Sequence, residues 1–285
     1  MYGCQSMVDP LRTVLVRRPD DAFGSADPEL WHYTAPPQLE EARYEHDGLV
    51  RILREADAEV LYHDDSGTES ADAIFTHDPC IVTDAGAVIL RMGKSLRRGE
   101  TAAMERELVR FGIPILGRLD GTARAEGGDL LWLDHDTLLV GQGLRTNAEG
   151  RRQLERMLAP LGVRLVPVPL PDGDPDGCLH LMSFVSLLDR DLAVVYPPML
   201  PAVLRDLLTA RGYRLVEVPA GELPTMGPNV LALAPRRCLM LEGSPITRRR
   251  LEDVGCSVRT YEGDEISLRA EGGPTCLTRP TLRRR

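Results

Sequence analysis

Apolar residues in this chain form short runs that alternate with stretches of helical spacing. Within residues 129–167, the runs "DLLWLD" and "TLLVG" flank a polar turn at Asp134–Asp136, and "VRLVPV" follows later. Between them, apolar residues recur three and four positions apart, as on one face of an amphipathic helix. That face consists of Leu154, Met157, Leu158 and Leu161. The pattern predicts a unit of strand, strand, helix and strand.

The same order of elements returns along the chain. Three more copies lie at residues 78–116, 182–218 and 229–261. A fifth copy is split between the two ends: residues 13–63 supply most of it, and "CLTRP" at 276–280 supplies its first strand. A period of roughly 35–50 residues is typical of repeat architectures, and a shared first and last unit indicates a closed ring.

We therefore expect an α/β fold in which five blades form a pseudo-fivefold propeller, with residues 1–285 as a single domain. Alternation of strands and helices alone is equally consistent with one open α/β sheet, and that alternative stays open at this stage.

Each unit begins with residues that can do chemistry. They are Asp78 in "FTHDPC", Glu126 and Asp129 in "AEGGDLL", His180 in "GCLHLMSF", Asn229 in "GPNVLAL" and Cys276 in "GGPTCLT". If the units surround one axis, these equivalent positions converge on it. Taken singly, each has an ordinary interpretation: a buried cysteine filler, a core histidine or an aspartate in a turn. Their common position in the repeat favours one central site.

These residue types suit attack on a guanidinium carbon. A thiolate is a good nucleophile when a nearby cation lowers its pKa. A histidine oriented by a carboxylate can protonate a leaving group and then activate water. A second carboxylate can pair with a planar guanidinium, and arginines can hold a substrate carboxylate in the same fork geometry. The predicted partner is a small guanidino amino acid.

Composition narrows the function classes further. The net charge of −9 disfavours nucleic acid and anionic membranes as partners. No apolar run approaches the roughly 20 residues of a membrane span. Six scattered cysteines without metal-ligand spacing, behind an N-terminus that lacks a signal pattern, favour a cytoplasmic protein without structural zinc. We expect the basic tail "RPTLRRR" to be a solvated terminus. The oligomeric state is open, with a homodimer as one option.

Across the whole chain, these motifs resemble the guanidino-group modifying superfamily, the penteins. Its members share a five-bladed α/β propeller with the active site on the axis. Within it, the chain as a whole most resembles the dimethylarginine dimethylaminohydrolase family, through "ADAIFTHDPCIV", "AEGGDLLWL", "CLHLMSF" and "GGPTCLT" taken together. The resemblance implies Cys276 as nucleophile, His180 as general acid and base, and Glu126 as its acidic partner.

The same resemblance implies how substrate is held. Asp78 would contact the guanidinium, and Asp72 would be a further ligand contact. Arg91, in "ILRMGKSLRRGE", and Arg145, in "GLRTN", would hold the substrate carboxylate. No metal or organic cofactor is implied. Residues 19–36 are rich in turn formers and are expected to form either a lid over the site or an ordinary surface loop.

Departures from the patterns of these families bear on the substrate. Arginine deiminases and the amidinotransferase carry an aspartate two residues after the histidine, where this chain has Met182. An apolar side chain there favours a methylated arginine, which would yield citrulline and a methylamine. Against this, His77 replaces an acid of the mammalian members, and "EGGD" and "GGPTCLT" resemble the deiminases more. An arginine deiminase, an amidinotransferase and a non-catalytic binder of arginine-like ligands remain as alternatives.

Overall fold

Five three-stranded sheets make up the computed structural model, which describes residues 1–64, 69–171 and 179–284. The strands in chain order are β1 (Leu11–Val16), β2 (Glu59–Tyr62), β3 (Cys80–Thr83), β4 (Gly86–Ile89), β5 (Ile115–Arg118), β6 (Leu130–Asp134), β7 (Thr137–Gln142), β8 (Arg164–Pro169), β9 (Val185–Asp189), β10 (Leu192–Val195), β11 (Arg214–Glu217), β12 (Val230–Ala234), β13 (Arg237–Leu241), β14 (Ser257–Tyr261) and β15 (Arg279–Arg283).

The helices are α1 (Asp21–Gly24), α2 (Pro28–Trp31), α3 (Leu39–Glu55), α4 (Glu100–Arg110), α5 (Ala148–Leu158), α6 (Ala202–Ala210) and α7 (Pro245–Asp253). Residues Asp264–Arg269 form a π-helical segment. Cys178 lies outside the described residues. None of the helices in the described ranges is long and apolar enough to cross a bilayer.

Every sheet has the same internal arrangement. The middle strand pairs antiparallel with the first strand and parallel with the third, as β4 does with β3 and β5. A parallel pair needs a crossover connection, and a helix from α3 to α7 fills that role in each sheet. Five separate sheets of this kind confirm the predicted strand-strand-helix-strand repeat and exclude the single open sheet.

Burial falls from the first strand of a sheet to the third. All residues of β3 and β4 are buried, whereas three residues of β5 are half-buried and Arg118 is exposed. Continuous apolar runs suit strands that are covered on both faces. The helices pack their apolar faces over the sheets, as α3 does with Ala42, Leu49 and Leu53. The first strands are therefore held rigidly, and so are the segments that lead into them.

The two ends of the chain meet in one sheet. β15 pairs antiparallel with β1, with Leu15 opposite Arg279 and Leu11 opposite Arg283, and β1 pairs parallel with β2. The split fifth unit is confirmed, although its first strand starts at Arg279, three residues after Cys276. The prediction of a solvated tail is wrong for residues 279–283, because Arg279 and Arg283 are both buried. The backbone pairing of β15 with β1 keeps these arginines in the sheet despite their charge.

Candidate active site

The five segments that lead into the first strands are joined by hydrogen bonds. On one side, Gly128 N–H donates to Asp78 Oδ1 (3.0 Å), and His180 Nε2 lies 2.7 Å from Glu126 Oε2. On the other side, Asn229 Nδ2 donates to Cys276 Sγ (3.5 Å). The predicted convergence of these positions is therefore present in the structure.

Two further contacts link the remaining neighbouring segments, so that all five are joined in a ring. The backbone carbonyl of Cys276 accepts from His77 N–H (3.2 Å), which returns to the segment of Asp78. Ser186 in β9 links the histidine segment to the asparagine segment: its hydroxyl donates to Pro228 O (2.8 Å) and accepts from Val230 N–H (3.1 Å). Because each link joins different sheets, the site geometry depends on the whole ring.

Cys276 is more accessible than the other described cysteines. Cys4, Cys80, Cys238 and Cys256 are buried, whereas Cys276 is half-buried and lines two cavities. The side chain of Asn229 binds the loop of Cys276 at two points. Its Oδ1 accepts from Thr275 N–H (3.1 Å), and its Nδ2 donates to Cys276 Sγ. The ordinary interpretation of this cysteine as a buried filler does not hold.

His180 and Glu126 form a buried pair. Glu126 Oε1 also accepts from the backbone N–H groups of Gly93 (2.7 Å) and Lys94 (3.2 Å). Burial alone would raise the pKa of Glu126, but the hydrogen bond and charge of His180 hold that pKa below its ordinary value. Glu126 is therefore ionised at neutral pH and can orient and charge the imidazole.

Gly128 gives the histidine its space. A Cβ at this position would lie 2.6 Å from the ring atoms of His180. Real Cβ atoms do not approach so closely, so a side chain there would displace the imidazole from Glu126. The second glycine of "EGGD" is therefore required by packing against the histidine.

Asp129 ties together the segments of the histidine and the glutamate. Its Oδ1 accepts from Leu181 N–H (2.9 Å), and its Oδ2 accepts from the Thr146 hydroxyl (2.6 Å). That hydroxyl in turn accepts from Glu126 N–H (3.2 Å). Burial raises the pKa of Asp129 to about 6. Asp129 is a positioning residue, because it acts on the pair through backbone and hydroxyl contacts.

A pH-dependent stability follows from Asp129. Its pKa is higher in the folded chain than in the unfolded one, so protonation favours folding, and this contribution is lost as pH rises from about 4 to about 6. We expect the free energy of unfolding of the native chain to fall by about 2–3 kcal/mol relative to Asp129→Asn over this range. Urea unfolding at several pH values measures it, with exposed Asp136→Asn as control. Parallel profiles for Asp129→Asn and the native chain would contradict the assignment.

A buried arginine was missed by sequence reasoning. Arg97 Nη1 donates to Asp78 Oδ2 (2.7 Å), while its Nε and Nη2 bind Glu100 in a fork (2.9 and 2.8 Å). Burial alone would raise the pKa of Asp78, but His180 and Arg97 hold that pKa well below its ordinary value. Asp78 therefore presents a carboxylate charge to the cavity, as its predicted role requires.

Asp72 also lies in the site. It accepts from the Tyr33 hydroxyl (3.0 Å) and from Lys94 Nζ (2.7 Å). Lys94 Nζ also donates to the backbone carbonyl of Trp31 (3.1 Å). Residues 19–36 contain the two short helices α1 and α2. Trp31 and His32, at the end of α2, line a cavity over the site. Closure of this segment as a lid stays a prediction.

The two arginines expected to bind a carboxylate differ in position. Arg145 is buried, lines the cavity and lies 3.8 Å from Glu126 Oε1. Arg91 is not among the described residues that line either cavity around Cys276. Its backbone pairs with Ala125 in an isolated bridge, and Arg97, further along the same segment, donates to Asp78. The expectation that Arg91 holds the substrate carboxylate stays a prediction.

Two cavities meet at Cys276. The first, which we call the charged cavity, is lined by Trp31, His32, Asp72, Phe75, Asp78, Lys94, Arg97, Glu126, Arg145, Ala270, Glu271, Gly272 and Cys276. The second, which we call the apolar cavity, has a volume of about 460 Å³ and is reached from the side of His180 and Met182. Only Cys276 and Glu271 line both among the described residues, so a molecule spanning the cavities passes the thiol.

Oxygen and nitrogen atoms of Asp78, Glu126 and His180 lie within 4.8 Å of one another, close enough to hold a metal ion. The carboxylate oxygens are already used, however. Both oxygens of Asp78 accept from Gly128 and Arg97, and both oxygens of Glu126 accept from His180 and the backbone of residues 93 and 94. The arrangement therefore fits an acid–base group better than a metal centre.

Comparisons with known proteins find similar enzymes. A sequence model of the family described as N,N dimethylarginine dimethylhydrolase, eukaryotic, matches residues 29–254. The N(G),N(G)-dimethylarginine dimethylaminohydrolase of Streptomyces coelicolor is 30% identical over 283 residues, which cover 94% of this chain and 96% of that protein. An arginine deiminase of Mycobacterium avium is 28% identical over 190 residues, which cover 57% of this chain and 47% of that protein.

The fold is shared with a solved structure. DDAH from Pseudomonas aeruginosa, a cysteine-to-serine mutant in complex with citrulline, superimposes with a TM-score of 0.77. It is 24% identical, and the match covers 96% of this chain and 99% of that one. The five-bladed propeller expected from the sequence is thereby confirmed.

Proposed function

Because the chain belongs to the N,N-dimethylarginine dimethylhydrolase family, whose members are hydrolases of amidine C–N bonds, we propose that it converts Nω-methylated arginines to citrulline and methylamines. One observation carries the proposal: the half-buried thiol of Cys276 lies where a charged cavity meets an apolar one, beside the buried His180–Glu126 pair. The charged lining complements the charged groups of an amino acid, and the apolar lining complements N-methyl groups.

The charged cavity supplies complementary partners for the substrate. Asp78, ionised and buried, aligns the guanidinium. Asp72 faces Lys94 at 2.7 Å, and this acid–base pair matches the α-amino and α-carboxylate groups of the amino acid. Arg145 provides a second cation for the carboxylate. Holding both ends of the substrate in this way places the central guanidinium carbon at Cys276.

The reaction then proceeds in two steps. The thiolate of Cys276 forms a C–S bond with the guanidinium carbon, and His180 gives a proton to the departing methylamine as the C–N bond breaks. A covalent thiouronium intermediate remains. His180 takes one proton from water, whose oxygen attacks the same carbon. The C–S bond breaks to release citrulline and the thiolate, and the second water proton passes to solvent, where the released methylamine becomes an ammonium.

The test compares four substrates on the purified protein. Asymmetric dimethylarginine, monomethylarginine, arginine and agmatine are offered in parallel, and both citrulline and the released amine are quantified. Citrulline from the methylated arginines, in equal amount with methylamine or dimethylamine, is the expected result. Turnover of arginine alone would replace the proposal by an arginine deiminase, which the similarity to the Mycobacterium avium deiminase keeps in view.

The remaining alternatives are separated by what happens at the thiol. Transfer of the amidino group to an added amine, in place of citrulline formation, would indicate an amidinotransferase. Mass spectrometry of quenched protein distinguishes catalysis from simple binding. A substrate-dependent mass increase on Cys276 supports the covalent mechanism, whereas unmodified protein with intact ligand would indicate a binding protein.

Met182 is the proposed determinant of preference for a methylated substrate. It is buried and lines the apolar cavity two residues after His180. In Met182→Asp, a carboxylate would attract an unsubstituted guanidinium nitrogen and repel methyl groups. We expect kcat/KM for methylarginine relative to arginine to fall by about tenfold to a hundredfold, measured by direct competition.

Met182→Leu serves as the control for Met182→Asp, because it changes shape without adding charge. Its preference should stay within about threefold of the native value, since volume-conserving apolar exchanges are tolerated well. An equal loss of preference in both variants would show that shape, and not polarity, sets the specificity.

The absence of a metal or organic cofactor stays a prediction, and the crowded carboxylates support it. Dialysis against EDTA should leave kcat and KM unchanged, and added Zn²⁺ should inhibit, because it would compete for His180 and the thiol. A loss of activity on chelation that Zn²⁺ or another divalent ion restores would overturn the cofactor-free mechanism.

A further inference from the structure

The apolar cavity is much larger than a dimethylamino group requires. Its volume is about 460 Å³, within the range of about 300–1,000 Å³ typical of small-molecule sites. It opens directly at the two groups that would act on the scissile bond, since Cys276 and His180 both line it. In the proposed mechanism His180 protonates the leaving nitrogen, so the substituent on that nitrogen would lie on the side of this space.

The walls of this cavity are apolar and adaptable. Apart from Pro224, its apolar lining side chains are Leu179, Met182, Met199, Leu223, Met226 and Leu268. Five of the six are only partly buried and pack on the edges of two hydrophobic clusters. Methionine side chains are flexible and fill irregular space around varied apolar groups.

Little charge faces the space. The ionisable groups among its described lining residues are His77, His180, Glu271 and Cys276. Burial lowers the pKa of His77 to about 3, so this histidine is neutral. Its Nδ1 lies 2.8 Å from the carbonyl of Thr278, which can only accept, so Nδ1 carries the proton. Glu271 is exposed at the border with the charged cavity.

From these features we infer that the chain processes arginines whose Nω-substituent is a larger alkyl or arylalkyl group, with the substituent seated in the apolar cavity. The inference rests on the proposed hydrolysis of substituted arginines and extends its substrate class. Each methylene transferred from water to the cavity strengthens binding by about threefold to fourfold, so affinity should increase with chain length until the space is filled.

The experiment measures kcat/KM for Nω-methyl-, Nω-propyl-, Nω-butyl- and Nω-benzylarginine, by citrulline release. For the butyl substrate we expect kcat/KM at least equal to that for the methyl substrate. A fall of a hundredfold or more from methyl to propyl would overturn the inference while leaving the proposed function intact. It would show that the space is only a route for water and product.

Filling the cavity provides the matched test. Met199→Trp should lower kcat/KM for butylarginine at least tenfold more than it lowers kcat/KM for methylarginine. Val203→Trp, at a half-exposed position on α6 outside the cavity lining, is the control and should change neither. Equal effects of Met199→Trp on both substrates would contradict seating of the substituent against Met199.

Binding measurements distinguish a failure of this inference from a failure of the proposed function. Calorimetry on the Cys276→Ser protein compares the dissociation constants of methyl- and butylarginine without turnover. Tighter binding of butylarginine supports the inference, and weaker binding by tenfold overturns it. Failure of the native protein to release citrulline from any of the four substrates would overturn the proposed function, and the calorimetric comparison would still decide the use of the cavity.

Discussion

Cys276→Ser should lower kcat for methylarginine hydrolysis by about 10⁴-fold or more, the scale seen when a covalent nucleophile is removed. A serine hydroxyl stays protonated near neutral pH, whereas a thiol readily ionises and is intrinsically more nucleophilic. The loop that carries residue 276 is held by Asn229 and His77 through the backbone. The fold and the substrate contacts should therefore survive the exchange.

Steady-state citrulline release and calorimetric binding measure the two halves of this prediction for Cys276→Ser. The dissociation constant for methylarginine should stay within about tenfold of the native KM. The control is Cys256→Ser, which changes a buried thiol outside the cavity linings and should retain most of the activity. Residual activity above one hundredth of native in Cys276→Ser would exclude this residue as the nucleophile.

Arg97→Gln should destabilise the protein by about 3–5 kcal/mol, the cost of leaving buried charges without their partner. The side chains of Arg97, Asp78 and Glu100 are each at most 4% exposed, so water cannot replace the lost cation. The remaining carboxylates can be neutralised only by protonation. The loss of stability should therefore be smaller at pH 5 than at pH 8.

Urea unfolding at both pH values tests the role of Arg97. Arg98→Gln is the matched control, because Arg98 is the exposed neighbour of Arg97; surface changes of this kind usually stay within about 0.5 kcal/mol. Arg97→Lys keeps one charge without the fork and should fall between the two. Equal stability of the Gln variants at residues 97 and 98 would show that the buried cluster contributes nothing net.

The fold could be predicted from sequence because each unit repeats the same change of hydrophobic period, from strand to helix and back. The site could be predicted for a related reason. Asp78, Glu126, His180 and Cys276 occupy equivalent positions just before the first strand of a unit, and a ring turns equivalent positions into neighbours. Neither step needed any knowledge of side-chain contacts.

What sequence reasoning missed depends on local backbone geometry. In "RMGKSLRRGE", several basic residues are candidates, and periodicity does not say which of them faces inward. Arg97 reaches Asp78 after the tight turn at Gly93, where a Cβ would lie 2.9 Å from the Cα of Arg145. That turn also brings the N–H groups of residues 93 and 94 to Glu126. The signal available in the sequence was the spacing of Arg97 and Glu100, which are three residues apart and can therefore form an ion pair.

The prediction for the terminal segment was wrong because it considered the charge of the arginines and not the pairing of their strand with β1. "RPTLRRR" reads as a solvated end, yet strand β15 needs a partner, and β1 has a free edge for it. Arg283 Nη1 donates to the backbone carbonyl of Asp9 (2.7 Å), and Arg279 binds the carbonyl of His77. Backbone carbonyls from distant segments thus accept from these cations, an arrangement that composition does not reveal.

The pairing of β15 with β1 also sets the order in which the enzyme becomes active. Asp78, Glu126 and His180 all precede Cys276 in the chain, and β15 is the last of the fifteen described strands to be synthesised. Activity begins only when the late strand docks beside the early one and brings Cys276 to Asn229. Displacement of β15 from β1 would withdraw Cys276 from Asn229, so the pairing of the two chain ends and the assembly of the candidate site depend on each other.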